Sequence, residues 1–187
     1  MNLRLPRVAL AVLAAAIAAL SLGSAAASAG PAGDSDLPER LQIGDGQKPY
    51  LLAHATGVQI YECAATAAGP KWQLVAPRAD LYGENGQLVA IHFAGPTWQA
   101  KDGSFVKARR VDGLTIDPTA IPWLKLQATS TAVGPEGDRL AHTTYIQRIN
   151  TVGGLEPAAT ECTAESLGSQ REIPYTADYR FWKEQGE

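Results

Sequence analysis

The pattern of hydrophobic and polar positions predicts an all-β protein. Beyond residue 36 the chain alternates short apolar or period-2 runs with clusters of Gly, Pro, Asn and Asp, the residues that form turns. No window repeats apolar residues at helical spacing over three turns. Strands are predicted at 49–54, 57–63, 72–77, 88–93, 104–111, 123–129, 139–150 and 173–181. This pattern favours a single antiparallel domain, either a β-sandwich or a closed β-barrel.

The regular pattern is interrupted around residues 152–170. This stretch contains Gly153-Gly154, a proline and few β-branched residues, so we predict a long irregular loop with Cys162 near its middle. A loop of this length is either functional or held in place by a cross-link.

Alternation within the strands assigns their faces. The positions assigned to the core include Val89, Ile91, Phe93, Leu124, Leu126 and Ala128, together with Tyr175, Ala177, Tyr179 and Phe181. This assignment puts His92 and Trp123 on faces that point away from the core. Both residues are therefore candidates for contact with a ligand.

The first residues resemble a secretory signal peptide. Arg4 and Arg7 precede an apolar run at 8–22, and Ala27-Ser28-Ala29 provides small residues for cleavage. The run is short for a membrane anchor, which needs about 20 strongly apolar residues. We therefore predict a leader at 1–29, with cleavage after Ala27 as the alternative. A flexible mature N-terminus at 30–36 and one all-β domain at 37–187 would follow.

Such a leader predicts export to the periplasm or the extracellular space. The chain beyond it has no second apolar run of spanning length. Loss of the leader would leave 14 basic and 19 acidic residues, a net charge of −5. An acidic chain without a Lys/Arg run offers no face for nucleic acid, so that class of partner is not expected.

The chain has two cysteines, Cys63 and Cys162. An even number of cysteines in an oxidising compartment predicts one disulfide, with two buried thiols as the alternative. Neither cysteine has a second cysteine or a histidine at ligand spacing, so no zinc site is expected.

Enzyme signatures are absent from the sequence. It has no P-loop, no dinucleotide fingerprint, no zincin motif and no serine-hydrolase elbow. We therefore expect no cofactor and favour a protein that is not an enzyme. His54, His92 and His142 each stand alone in the sequence, which favours three unrelated histidines over a metal site.

The densest chemical constellation lies around a Gly-Pro turn. His92, Thr97, Trp98 and Asp102 combine an imidazole, a hydroxyl, an indole and a carboxylate within eleven residues. An indole offers a stacking surface, and the polar groups offer hydrogen bonds. The candidate binding residues are these four together with Trp123. The alternative is a structural hairpin in which Trp98 covers the end of the fold.

Several segments together resemble an uncharacterised family of exported proteins, catalogued as domain of unknown function 3455. They are GVQIYEC at 57–63, HFAGPTW at 92–98, DGS at 102–104, PWL at 122–124, YIQRINTVGG at 145–154, Cys162 and PYTADY at 174–179. The resemblance runs from about residue 37 to 182. It implies a single secreted domain of bacteria and fungi without an assigned activity. Some fungal relatives carry a malate dehydrogenase label, which this sequence does not support because it lacks the nucleotide fingerprint and α/β alternation.

Three functions are compatible with these observations. The first is an exported domain that binds a small molecule, a glycan or a surface partner without catalysis. The second is a secreted hydrolase or metal-assisted enzyme that uses His92 with Asp102. The third is a structural protein of the envelope. The identity of the ligand and the oligomeric state are not fixed by the sequence.

Overall fold

The structure, a computed structural model, describes residues 34–186, so the predicted leader lies outside the described residues. This part of the chain contains eight β-strands and no α-helix, which confirms the all-β prediction. The strands are β1 Gln47–Thr66, β2 Gly69–Tyr82, β3 Leu88–Phe93, β4 Thr97–Ala100, β5 Phe105–Leu114, β6 Trp123–Ala132, β7 Tyr145–Gly153 and β8 Gln170–Glu184.

The strands form one closed antiparallel barrel in sequence order. Each strand pairs with the next, and β8 returns to pair with β1. Of the two predicted architectures, the barrel is therefore confirmed. Because neighbouring strands run in opposite directions, successive loops alternate between the two ends of the barrel. We call the end with loops 67–68, 94–96, 115–122 and 154–169 the upper end, and the other, with loops 83–87, 101–104 and 133–144, the lower end.

Several strand boundaries differ from the prediction. The predicted strands 49–54 and 57–63 form one continuous strand, β1, because Gly57 is not a turn residue. A Cβ atom at position 57 would lie 2.1 Å from the Arg78 carbonyl oxygen, so this glycine allows β1 and β2 to approach closely. The short strand β4 was not predicted. Residues 139–144 belong to a loop, and β7 begins at Tyr145.

The face assignment was correct for β6 and β8 and wrong for β3. Leu126, Tyr179 and Phe181 are buried inside the barrel, as expected. In β3, however, His92 faces the interior and is 4 % exposed, whereas Ile91 and Phe93 face outward and are 40 % and 37 % exposed. The interior beside β3 is filled by large aromatic side chains from β4 and β8, so the large side chains of Ile91 and Phe93 lie on the outward face.

The predicted disulfide between Cys63 and Cys162 is present. It attaches the irregular loop 154–169, which contains two short 3-10 turns, to the upper end of β1. Both half-cystines pack with Tyr61 and Trp72 in a small second core. The long loop is thus confirmed, and the cross-link holds it against the barrel.

The segment before β1 packs on the outside of the barrel. Asp34–Asp36 forms a 3-10 turn, and the rest of the segment predicted to be flexible, 30–33, lies outside the described residues. Asp34 accepts hydrogen bonds from the Gln147 side chain at 2.7 Å and from the Ile43 amide at 2.8 Å. Leu41 is fully buried beside them. Within residues 34–186, no helix reaches the length and apolarity that crossing a membrane requires.

Candidate ligand-binding site inside the barrel

A cavity of about 320 Å³ occupies the upper part of the barrel interior. This volume lies within the range of small-molecule sites. An eight-stranded barrel is also just wide enough to hold one small ligand. The cavity is lined by Gln59, Tyr61, Leu74, Pro77, His92, Pro96, Trp98, Arg110, Ile121, Pro122, Leu124, Leu126, Arg148 and Tyr179.

One wall of the cavity is an aromatic cluster. The rings of His92 and Trp98 are stacked, with centroids 4.1 Å apart and an interplanar angle of 7°. Tyr179 meets both rings edge-on, at centroid distances of 5.3 Å and 5.5 Å. The stack follows from cross-strand pairing, because His92 of β3 lies directly opposite Trp98 of β4.

His92 is a neutral imidazole with a defined tautomer. Its Nδ1 lies 2.9 Å from the Thr97 carbonyl oxygen, which can only accept, so Nδ1 carries the proton. Nε2 therefore keeps its lone pair. Burial lowers the pKa of His92 to about 3, against a partial opposing effect of the Thr97 hydrogen bond. At neutral pH this histidine is uncharged.

Two buried N–H donors in the cavity-lining residues have no hydrogen-bond partner. They are the indole Nε1 of Trp98 and the amide Nε2 of Gln59. An unsatisfied buried donor costs about 1–3 kcal/mol, so folded proteins rarely retain one without a reason. Both atoms are shielded from solvent, and both belong to residues that line the cavity.

The charged groups of the cavity are both cationic. Arg110 and Arg148 line it, and no acidic side chain does. Arg148 is half-buried and donates from Nε and Nη2 to the Pro122 carbonyl oxygen, at 3.2 Å and 2.8 Å. Burial raises the pKa of the Tyr179 hydroxyl, and the nearby charge of Arg148 opposes that rise. The charge of the Arg148 guanidinium thus lies close enough to affect Tyr179, a member of the aromatic cluster.

The disulfide-bonded loop lies at the rim of the cavity. Tyr61, a lining residue, donates its hydroxyl to the Gly154 carbonyl oxygen at 2.7 Å. A Cβ atom on Gly154 would lie 2.9 Å from Tyr175 and 3.1 Å from Ile121, and the residue has a φ of +78°. Glycine is therefore required where the loop leaves β7 and passes over the barrel.

The structure separates the residues of the predicted constellation. His92 and Trp98 line the cavity, and Thr97 adjoins them through its carbonyl contact with His92. The Thr97 hydroxyl also donates to the Ala94 and Gly95 carbonyls, which secures the Gly-Pro turn. Asp102 lies at the lower end, because β4 carries the chain from one end of the barrel to the other between residues 97 and 100.

Asp102 organises the loops of the lower end. It accepts hydrogen bonds from the Ser104 amide and hydroxyl at 2.9 Å and 2.6 Å, and from the Arg139 amide at 2.9 Å. Partial burial raises the pKa of Asp102, but these hydrogen bonds outweigh it and hold the pKa below its usual value. Asp102 also borders a surface depression with His142 and Lys183. Trp123 is half-buried at the start of β6 and does not line the cavity.

The three histidines contact different residues and not one another. His54 pairs with Asp178 at 2.6 Å on the outside of the barrel, and His142 lies 3.6 Å from Asp138 at the lower end. Among residues 34–186, no group of three potential metal ligands occurs.

Comparison with known proteins gives a match to one family. A family described as a protein of unknown function (DUF3455) matches residues 44–183. The chain belongs to this family. No curated protein and no solved structure matches the chain. The description of the DUF3455 family does not mention a dehydrogenase activity.

In this DUF3455 protein, two polar residues of the cavity that come from other strands were not predicted from the sequence. Gln59 and Arg148 were not singled out, although each lies in a segment that carries the family resemblance. A signal was present in both cases. Gln59 is in phase with Tyr61 and Cys63, and Arg148 is in phase with Ile146, so each polar residue falls on the inward face of its strand.

Proposed function

We propose that this protein binds one small organic molecule inside the barrel and does not transform it. The observation that carries the proposal is a cavity of ligand size, two of whose lining residues, Trp98 and Gln59, have a buried N–H donor without a partner. The rest of the wall combines aliphatic and aromatic groups with a few fixed polar atoms, the composition typical of small-molecule sites.

Binding is a better account of His92 than catalysis. An effective general base has a pKa near the working pH, whereas the pKa of His92 is lowered to about 3. Its Nδ1 proton is committed to the Thr97 carbonyl. Asp102, the partner that a hydrolase would need, bonds instead to Ser104 and Arg139 at the lower end. These contacts favour the binding function over the hydrolase alternative.

The proposal includes export to the periplasm or the extracellular space. The leader-like sequence at 1–29 supports it. The Cys63–Cys162 disulfide supports it as well, because such bonds persist in oxidising compartments.

The test is a screen of compact fragments by ligand-observed NMR, repeated on two variants. Leu124→Trp places a large side chain in the cavity wall and should abolish fragment binding. Val133→Trp is the matched control, because Val133 is 69 % exposed, lies just beyond the end of the same strand and does not line the cavity. Thermal unfolding of both variants confirms that they fold.

Two results decide the proposal. Fragments that bind the wild type and Val133→Trp but not folded Leu124→Trp would support an interior ligand site. Fragments that bind all three proteins equally, or none of them, would contradict it. In the second case the structural function in the envelope would be the better account.

A further inference from the structure

We infer that the ligand is a compact organic anion, whose acidic group lies against Arg148 and Arg110 while its apolar body fills the aliphatic side of the cavity. This inference rests on the proposed function and specifies the chemistry of the molecule that the barrel receives.

The charge of the residues that line the cavity is opposite in sign to the net charge of the protein. The chain has a net charge of −3, yet the ionisable side chains at the cavity that carry charge at neutral pH are two arginines. A positive cavity in an acidic protein favours an anion and repels a cation. A neutral ligand would leave the positive charge of the two arginines without a counter-ion.

In the described part of the chain, Arg148 lacks a counter-charge, unlike Arg40 and Arg78. Arg40 pairs with Asp112 at 2.6 Å, and Arg78 pairs with Glu172 at 2.7 Å, both on the surface. Within residues 34–186, Arg148 forms no ion pair and bonds only to neutral groups. A partly buried charge without a counter-ion is unfavourable, and an anionic ligand would supply one.

The guanidinium of Arg148 faces the cavity rather than the solvent side of the barrel. Its charge adds to the effect of burial in lowering the pKa of His92, and it acts on the hydroxyls of Tyr61, Tyr175 and Tyr179 as well. These groups belong to three different strands that surround the interior. The charge is therefore placed where a ligand would lie.

The neutral polar groups of the wall reinforce this preference. Trp98 Nε1 and Gln59 Nε2 are donors without an acceptor. Arginine donates in a planar fork that matches the two oxygens of a carboxylate. Ile121, Leu124 and Leu126 provide an apolar surface beside these donors. A monocarboxylate with a small apolar body matches both halves of the cavity, whose volume excludes long chains.

The experiment compares benzoate with benzamide, which has nearly the same shape without the charge. Dissociation constants are measured by NMR titration at neutral pH on the wild type and on Arg148→Gln, Arg148→Lys and Arg110→Gln. Arg109→Gln is the matched control, because Arg109 precedes Arg110, lies on the exposed side of β5 and bonds to Gln127. Circular dichroism confirms that each variant is folded.

We expect the wild type to bind benzoate at least about tenfold more tightly than benzamide, which corresponds to about 1.4 kcal/mol. Arg148→Gln and Arg110→Gln should each reduce this preference severalfold, Arg148→Lys should reduce it less, and Arg109→Gln should leave it unchanged. If Arg148→Gln does not fold, Arg110→Gln and Arg148→Lys carry the test.

Other outcomes separate this inference from the proposed function. Equal binding of benzoate and benzamide, lost in Leu124→Trp, would overturn the anion preference and leave the interior site in place. If neither probe binds, the charges of the fragment hits decide: mostly anionic hits support the inference, and neutral or cationic hits overturn it. The absence of any interior hit would overturn both proposals.

Discussion

The imidazole of His92 lies parallel to the indole of Trp98 inside the barrel, with the ring centroids 4.1 Å apart. The two residues are 4 % and 1 % exposed. This stack joins an imidazole with an unprotonated Nε2 to an indole whose N–H has no partner, and both residues line the cavity. The same two residues therefore contribute to the stability of the barrel and to the chemistry of its interior.

The burial of His92 predicts a dependence of stability on pH. Its pKa is about 3 in the folded protein and 6.5 when the imidazole is exposed. Between these values the unfolded state binds one proton more than the folded state. Stability should therefore fall as the pH decreases below about 6.5, by about 1.4 kcal/mol per pH unit from this residue. Above that pH both states are neutral, and the contribution is constant.

Urea denaturation between about pH 4.5 and 7.5 measures this slope. His92→Phe keeps an aromatic ring on Trp98 and removes the titrating group, so its free energy of unfolding should depend less on pH. His142→Phe replaces a half-exposed imidazole and should retain the steep dependence. Equal slopes for wild type and His92→Phe would contradict the prediction.

Replacement of Trp98 separates packing from binding. Trp98→Ala removes contacts with His92, Tyr179 and Phe181 and should lower the free energy of unfolding by about 3–5 kcal/mol. Trp123→Ala, at a half-buried position outside the cavity, should cost less. Trp98→Phe keeps a ring but removes the N–H donor. It should therefore lower the free energy of binding of fragments by more than it lowers the free energy of unfolding. A Trp98→Ala protein as stable as the wild type would argue against this account.

Loss of the disulfide should destabilise the barrel and release the loop at its upper end. The bond links residues 99 apart in the sequence. The double variant Cys63→Ala/Cys162→Ala should lose about 2–5 kcal/mol, as is typical for a bond that closes a long loop. Limited proteolysis should then cut within 154–169. A reductant should produce the same change in the wild type and none in the double variant.

Asp102 should matter for stability and not for binding. Asp102→Asn weakens hydrogen bonds that hold the lower loops and should cost about 1–2 kcal/mol in chemical denaturation. Asp80→Asn, an exposed carboxylate on β2, serves as the control and should change stability little. Fragment affinities should be unchanged in both variants. A loss of binding in folded Asp102→Asn would place Asp102 in the ligand site after all.

The fold class could be predicted from the sequence because turn-forming residues mark the ends of most strands. The sequence could not distinguish a sandwich from a barrel, since closure depends on pairing between β1 and β8. The His54–Asp178 contact across that seam joins residues 124 apart, and no local pattern reports it. The four-residue β4 is likewise too short to show its own alternation.

The site was predictable only in part, because residues that are close in sequence do not always lie close together in the barrel. His92 and Trp98 were selected because they are close in sequence, and pairing of adjacent strands keeps them close in space. Asp102 was selected by the same criterion, but β4 takes it to the opposite end. In β3 both faces carry apolar residues, so hydrophobicity favoured Ile91 and Phe93 for the core. The interior accommodates Ala90 and His92 because Trp98 already occupies the space.

The seam between β1 and β8 has a consequence for the folding route. No run of consecutive strands can complete the ring, because residues near 47 must meet residues near 184. Most of the domain must therefore be synthesised before its sheet can close. Joining such distant segments lowers the entropy of the chain before the contacts that compensate for this loss have formed. Folding should therefore take about milliseconds to seconds, as for other all-β domains.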